Sequence, residues 1–467
     1  MSPRATSLVA CKAYYFCNSF GLACLLPFLP LFYARWGLSR ARIGWLGATR
    51  HIVGAVVTPA WNALADARRA HNVVHAACIV AQAFAYVALA RADHAWPRIW
   101  WRVALAESCG CCVGSLGDNA TCLMVKRWNL ARGLGEDDVG GASYGRQRLW
   151  GAVSWGLVAA PTMGVVMSVG GPKTRDEAPF AGWLLFLLVS ACISTQLRHD
   201  PVVIEDAVKG EHEMSDLGAD EIVGAKLSRR IASANDLHAA PESIARRLWR
   251  VVRDPGVALR FFLFLMSGAS MTITDLYLFL WLADCGGTPA VMGAALFCTC
   301  VCEVAIFYNS AKIKKALTLD WCLALVPFCY FVRQFYYWLL PSLGSPWAVL
   351  PVQFLHGITF GLYWSTANDF IQEISPYGLS ASMTGLFSAV NSAGGFSGAV
   401  LGGMAYDAYD GGRLFLGVGL INLCLGAFFT ALKLTSDRAN AVAYVLLENE
   451  STEDAPSLAL DISAAVL

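Results

Sequence analysis

Apolar positions along this chain do not alternate with polar ones at the period of a strand. They run nearly unbroken for about 20 residues at a time, which is the length a helix needs to cross the hydrocarbon of a bilayer. Twelve such runs can be drawn: 8–33, 42–64, 73–91, 98–125, 148–169, 180–197, 257–283, 290–310, 319–340, 347–370, 378–404 and 412–433. The longer ones leave excess for tilt. Lipid offers no partner to an open sheet edge, so spans of this kind are helices. The pattern predicts an all-α membrane protein with twelve transmembrane helices.

The polar segments between the runs are short, with one exception. Residues 198–255 are charge-mixed and divide the runs six and six. Their acidic first part (Glu205, Asp206, Glu211, Glu213, Asp216) reads as loosely ordered. From Pro241 to Arg253, Ile244, Leu248 and Val251 share one helical face, with Arg246, Arg247, Arg250 and Arg253 around it. That is an amphipathic helix on the inner membrane surface, or equally a solvated linker helix. After Lys433, Glu448, Glu450, Glu453 and Asp454 punctuate a tail expected to be disordered. Tyr444-Val-Leu-Leu447 within it has the form of a tyrosine-based sorting signal. The organisation is an N-terminal bundle (1–197), a cytoplasmic central loop (198–255), a C-terminal bundle (256–433) and a cytoplasmic tail (434–467).

Composition narrows the class. Of 467 residues 56% are hydrophobic and 15% charged, with mean hydropathy +0.50; a soluble protein carries about 25% charged residues. A net charge of +1 gives no field that would gather nucleic acid. Lysine and arginine are denser in the segments that share a side with the N-terminus, which predicts both termini in the cytoplasm. The plasma membrane is the default membrane. The first run continues from Leu8 to about Tyr33 without a small-x-small cleavage site, so it is expected to span and stay. The sixteen cysteines show no CxxC pair or zinc spacing. Cys109, Cys111 and Cys112, like Cys298, Cys300 and Cys302, point to different faces of one helix. They are read as small packing residues, and no metal or cofactor is predicted. No nucleophile–base motif marks an enzyme, and no GxxxxGK[ST] loop indicates ATP drive.

Charges at membrane depth carry the functional signal. Glu303, Arg333 and His356 stand in three consecutive runs, and each costs roughly 2.5–3.5 kcal/mol there by insertion scales. At about 1.5 Å per residue all three fall near mid-membrane. They are expected to face one another around a hydrated cavity. There a carboxylate balanced between desolvation and an arginine can load and release a proton, with His356 to relay or hydrogen-bond. A buried ion-pair network that only pins helices is the alternative. Asp275, mid-run, is a second coupling carboxylate or a solute ligand. In the first half Arg148 and Trp155 lie seven residues apart, two turns on one face. They could clamp a hydroxyl-rich or aromatic solute, unless Arg148 snorkels at the interface. Arg50, paired with Glu107, and Asp118 complete the candidate solute site. Asp66, Arg68, Arg69 and Asp369 are candidate gate residues. Gly394, Gly398 and Gly402 form a stripe for close helix packing.

The halves echo each other. Asn62-Ala-Leu-Ala-Asp66-Ala-Arg68-Arg69 follows the second run, and Asn309-Ser-Ala-Lys312-Ile-Lys314-Lys315 the eighth. Tyr144-Gly145 opens the fifth run and Tyr377-Gly378 the eleventh. Duplicated six-helix units of this kind build many transporters. Further motifs are Pro27-Phe-Leu-Pro30-Leu-Phe-Tyr, Gly37-Leu-Ser, Pro59-Ala-Trp61, Tyr144-Gly145-Arg146-Gln-Arg148-Leu-Trp150-Gly151, Ser154-Trp155-Gly156, Pro351-Val-Gln353-Phe-Leu-His356-Gly357, and Gly394, Gly395, Gly402, Gly403 with Tyr406-Asp407. On these residues the chain resembles the major facilitator superfamily, in its associated-domain branch near the lactose-permease-like and nucleoside–proton symporters.

The resemblance covers the runs but not the loop or tail. It implies two pseudo-symmetric six-helix bundles. It also implies a glutamate, arginine and histidine relay at Glu303, Arg333 and His356, and a sugar-binding pair at Arg148 and Trp155. Two places depart from the pattern. The family's Asp-Arg-x-x-Arg turn reads Asp66-Ala-Arg68-Arg69, and Thr359 stands where a glutamate is expected one turn beyond the histidine. The function that follows is a secondary active transporter acting as a monomer, moving a small sugar- or nucleoside-like solute with protons. A receptor or adaptor that kept the fold but lost transport is the rival.

Overall fold

A computed structural model describes residues 7–134, 141–199, 244–376 and 379–450, with side chains in the last helix described as far as Thr435. The acidic part of the central loop, Tyr377-Gly378, and Glu453 and Asp454 of the tail lie outside the described residues. Among the described residues there are helices and no strands.

The long helices are α1 (Val9–Arg35), α2 (Arg40–Arg68), α3 (His71–Ala90), α4 (residues 98–130), α5 (Tyr144–Val169), α6 (Pro172–Ser194), α7 (Pro255–Asp284), α8 (residues 289–317), α9 (residues 319–339), α10 (residues 346–374), α11 (Ser380–Ala408) and α12 (Gly411–Glu450). Among the described residues seven helical stretches, with α8 and α9 counted as one, are long and apolar enough to cross a membrane by length and composition. α8 and α9 join without a loop, through Thr318 at φ 64°, a conformation that a β-branched residue adopts only under constraint.

Several boundaries differ from the expectation for physical reasons. α6 starts eight residues earlier than residue 180, at Pro172, because proline is preorganised for the first helical position. Lys173 and Arg175 are therefore helical rather than in a loop. α8 continues through Lys312, Lys314 and Lys315, beyond the end of the expected run at residue 310. α4 is broken at Cys111 and Cys112 into Arg98–Gly110 and Val113–Leu130. The tail expected to be disordered from residue 434 is helical to Glu450, since Ala439, Ala441, Ala443, Leu446 and Leu447 are strong helix formers. The amphipathic segment is helical over Ile244–Val252. Leu248, Val251 and Val252 pack on the core of the second half, and Trp249 is exposed.

Helices of the first half pack on one another (α1 on α5 and α6, α3 on α4 and α6), as do those of the second half (α7 on α11, α8 on α10). The halves meet along α2 with α11, α5 with α8, and α1 with α7. We refer to the side where α1, α3 and α7 begin as the near side, and the other as the far side. On the far side the halves are bonded together. Asp407 of α11 accepts from the backbone amides of Arg40 and Ala41, each at 2.8 Å, capping α2. Ser168 of α5 accepts from the Ala290 amide of α8 at 2.8 Å, and Arg40 pairs with Asp284 at 3.2 Å. Gly44 faces the Ala399 carbonyl, and Gly293 faces the Ala160 carbonyl and Pro161. From mid-membrane to the near side the same helices leave open space: a Cβ at Gly54, in the middle of α2, or at Gly145 or Gly385 would meet nothing within 4 Å. Near-side ion pairs among the described residues stay inside one half, as in Arg260–Asp320, Lys433–Asp320 and Lys314–Asp369. The two halves therefore enclose a cleft that opens on the near side and closes on the far side.

Candidate functional site

Arg333 of α9 is buried, at 3% exposure, and its hydrogen bonds all end on neutral groups. Nε donates to Tyr337 Oη (3.2 Å), Nη1 to Thr359 Oγ1 (2.7 Å) and His356 Nδ1 (3.3 Å), and Nη2 to Gln353 Oε1 (3.2 Å). Tyr337 reaches this group from one turn further along α9. Gln353 lies three residues before His356, at the same turn of α10. A buried cation without a carboxylate in contact is costly unless its donors are satisfied, and four neutral acceptors fill that role here. Thr359, the departure from the expected glutamate, takes the shortest of these bonds.

A guanidinium only donates, so His356 Nδ1 is the acceptor and the ring hydrogen sits on Nε2. That nitrogen lies 4.0 Å from Glu303 Oε2. Arg333 thus donates to His356, whose Nε2–H is turned toward the Glu303 carboxylate at a distance longer than a hydrogen bond. Two local features place it. Residues Gly357–Leu362 are π-helical, an irregularity frequent at functional sites. The Gly357 amide is turned onto Cys302 Sγ at 3.1 Å. A Cβ at Gly357 would lie 2.7 Å from Ile306 and 2.9 Å from the Cys302 carbonyl, so only glycine lets α10 approach α8 closely enough to bring His356 beside Glu303. All sixteen cysteines are free thiols, and Cys302 serves here as a packing and acceptor group.

Across the cleft, Asp118 accepts from Tyr15 Oη at 2.6 Å and has Arg148 Nη1 at 4.0 Å. Arg148 donates to Tyr144 Oη at 3.0 Å and leaves most of its side chain exposed. Val153–Ala159 is π-helical, so the turn around Trp155 is wider than the regular helix on which the two-turn spacing from Arg148 was reckoned. Glu107 is not paired with Arg50. It is buried and accepts from Tyr86 Oη at 2.5 Å, while Arg50 is exposed and makes no hydrogen bond or ion pair with the described residues. Asp275 is likewise exposed on α7, with Arg333 and Arg50 as the cations whose fields reach it. Arg148 is the cation whose field reaches Glu303.

The gate candidates do not meet one another. Asp66 pairs with His71 Nε2 at 2.8 Å within its own half. Arg68 is exposed, and Arg69 ends α2 in the left-handed region at φ 49°. Asp369 pairs with Lys314 at 2.5 Å, and Lys314 also donates to Ser365 at 2.8 Å. The Gly394, Gly398 and Gly402 stripe packs inside the second half, against Leu265, Ala269 and Tyr277 of α7. Sequence reasoning missed Tyr15 and Tyr144 around Asp118, and Gln353 and Tyr337 around Arg333. The available signal was the four-residue step from Arg333 to Tyr337 and from Tyr144 to Arg148.

The model of the "MFS_1 like family" matches residues 8–417. "Major facilitator superfamily domain-containing protein 6-like protein A" of Xenopus laevis is 27% identical over 118 residues, 25% of this chain and 19% of that protein. A 6-like protein of Danio rerio is 25% identical over 177 residues, 37% of this chain and 32% of its own length. The chain thus aligns with about a fifth to a third of these relatives. Among solved structures, the nucleoside transporter NupG superposes with TM-score 0.68 at 13% identity, covering 91% of this chain and 98% of that one. A peptide transporter, POT, in complex with sulfate superposes with TM-score 0.62 at 14% identity, covering 92% and 94%. At that identity the likeness speaks for the fold alone.

Proposed function

The chain belongs to the MFS_1 like family of the major facilitator superfamily, and on that premise we propose that it is a secondary active transporter. It moves a small polar solute, of the size of a sugar or nucleoside, together with protons. The twelve long helices form two pseudo-symmetric six-helix bundles, 1–197 and 256–433, that rock about a mid-membrane site. Residues 198–255 and 434–467 lie on the cytoplasmic side with both termini, the plasma membrane is the host, and the monomer is the working unit. The near side is then cytoplasmic, and the cleft is caught open inward.

The observation that supports this reading is the placement of His356 between Arg333, which donates to it at 3.3 Å, and Glu303, 4.0 Å away. Glu303 is the proton carrier. His356 holds an N–H toward it, and Arg333 fixes that ring without pairing with the carboxylate. Arg148, Asp118, Arg50 and Asp275 face the solute, with Trp155 and Glu107 behind them as packing and support. Asp66, Arg68, Arg69 and Asp369 serve the near-side gate when the bundles close.

Uptake by purified protein in liposomes, driven by an imposed pH gradient, tests this. The expected result is accumulation of at least one polar solute that collapses with the gradient. The Glu303→Gln variant is expected to exchange solute without responding to it. Gradient-driven accumulation by Glu303→Gln equal to wild type would remove Glu303 from coupling. Absence of any uptake across a broad panel would favour a receptor or adaptor.

A further inference from the structure

The cleft is electrically lopsided. Four charged groups stand on its walls: Arg50 and Arg148 from the first half, Asp275 and Glu303 from the second; Arg148 has Asp118 and Glu303 has His356 at 4.0 Å, while Arg50 and Asp275 have no ion pair among the described residues. Their potential neutralisers are engaged elsewhere. Glu107 is buried on Tyr86, and Asp118 is held by Tyr15 with Arg148 at 4.0 Å. Arg333, the cation of the second half, is buried among Thr359, Gln353, Tyr337 and His356. Arg50 is therefore left as a cation without an ion pair on one wall and Asp275 as an anion without one on the other.

The helices put these charges at matching levels. α2 and α7 run antiparallel. Leu276 is the nearest neighbour a Cβ at Gly47 would meet, and His51 Nε2 lies 3.5 Å from Thr272 Oγ1. Arg50 is one residue before His51, and Asp275 is one residue before Leu276, so the two flank the same stretch of seam. Both are exposed, and no ion pair joins them. α5 and α8 are also antiparallel, with Gly164 at Pro289 and Gly156 at Cys300. Arg148 lies about two turns nearer the mouth than Gly156, and Glu303 about one turn nearer than Cys300. The long arginine side chain spans the difference. Neither cross-cleft couple is closed to contact.

Opposed charges held apart in a partly desolvated cleft attract more strongly than in water, and a solute carrying both signs can satisfy both at once. A neutral polyol cannot, and a singly charged solute leaves one wall unmet. We infer that the solute is zwitterionic, an amino-acid-like molecule whose carboxylate or other anionic group docks on Arg50 of the first half and whose ammonium group docks on Asp275 of the second. The assignment rests on the cleft being the solute site proposed above.

The test is ligand-induced thermal stabilisation of the purified full chain, read as Kd. The probes are a panel of amino acids, each with its amide (cation only), its N-acetyl derivative (anion only) and its N-acetyl amide (neutral), together with hexoses and nucleosides. The expected result is that at least one zwitterion binds roughly tenfold or more tighter than its three derivatives. Arg50→Gln should erase the preference over the amide, and Asp275→Asn the preference over the N-acetyl derivative, with each variant keeping the wild-type unliganded melting temperature. Binding of a hexose or nucleoside with no zwitterion binding overturns the inference and leaves the transporter reading standing. So does a pair of variants that weaken every solute by the same factor regardless of its charges, since Arg50 and Asp275 then act as a latch. No binding and no liposome uptake of any probe overturns both.

Discussion

Adding one methyl group to α2 at Gly44 should shift the bundles, and adding it ten residues later at Gly54 should not. Both are helical glycines, so alanine should gain about 0.5–1 kcal/mol from backbone entropy at each. The surroundings differ. A Cβ at Gly44 would press on the Ala399 carbonyl of α11 and lie 2.6 Å from Tyr277 Oη, which is itself bonded to that carbonyl, whereas a Cβ at Gly54 meets nothing within 4 Å. The backbone carbonyl cannot turn aside, so the cost at Gly44 is that of overpacking, about 1–3 kcal/mol. It falls only on the state in which the far side is closed. The closed-to-open ratio of the far side should therefore drop roughly 5–150-fold in Gly44→Ala relative to Gly54→Ala. Hydrogen exchange in detergent reads this at the α2 amides of Arg40 and Ala41, which Asp407 protects only when the seam is shut. Exchange there should quicken by a similar factor in Gly44→Ala alone, and Gly54→Ala should melt slightly higher than wild type. Equal exchange in the two variants would refute the claim that this seam holds the far side closed.

Two further substitutions probe neighbouring parts of the same machinery. Asp407→Ala removes the acceptor that caps two α2 amides from the other half, and should cost about 0.5–2 kcal/mol of far-side closure. Faster exchange at Arg40 and Ala41 with unchanged exchange in α6 would register it, and uniform acceleration across the chain would show global destabilisation instead. Thr359→Val keeps the side-chain volume but strips Arg333 of its 2.7 Å acceptor. Leaving a buried charged donor unmet should lower stability by about 1–3 kcal/mol, and a melting temperature at wild type would mean that water or Gln353 takes over.

Much of this architecture could be read from the apolar runs, because in lipid only helices satisfy their own backbone groups. The meeting of Glu303, Arg333 and His356 was legible for the related reason that charges at membrane depth must find one another. What the runs hid were departures from regular helix. A regular 3.6-residue turn puts Arg148 and Trp155 on one face, but the π-helical stretch Val153–Ala159 intervenes. A composition window cannot see it, because it arises where Gly156 fits against Cys300 and Leu296 of α8. The Arg50–Glu107 pairing failed because similar depth does not fix azimuth: Tyr86 occupies the side of Glu107 that faces into the first half. The continuation of α12 past residue 434 was obscured by its acidic residues, which break apolar periodicity without lowering helix propensity.

The role of His356 separates two ways in which a histidine can sit on a proton path. A relay must take a proton on one nitrogen while surrendering one from the other. Here Nδ1 is held at 3.3 Å by an Arg333 N–H, and protonating it would set donor against donor beside a buried cation. As long as Arg333 stays in place, the ring can only accept from Arg333 and donate from Nε2 toward Glu303. A glutamine can do the same with its carbonyl and amide, and it does not titrate. His356→Gln should therefore retain gradient-driven uptake with its pH dependence unshifted, within a few-fold of the wild-type rate. His356→Leu, which removes both contacts and leaves an Arg333 donor unmet, should lose it. Loss of coupling in His356→Gln, with protein folded and solute exchange intact, would mean that Arg333 leaves the ring during the cycle and that the proton passes through imidazole after all.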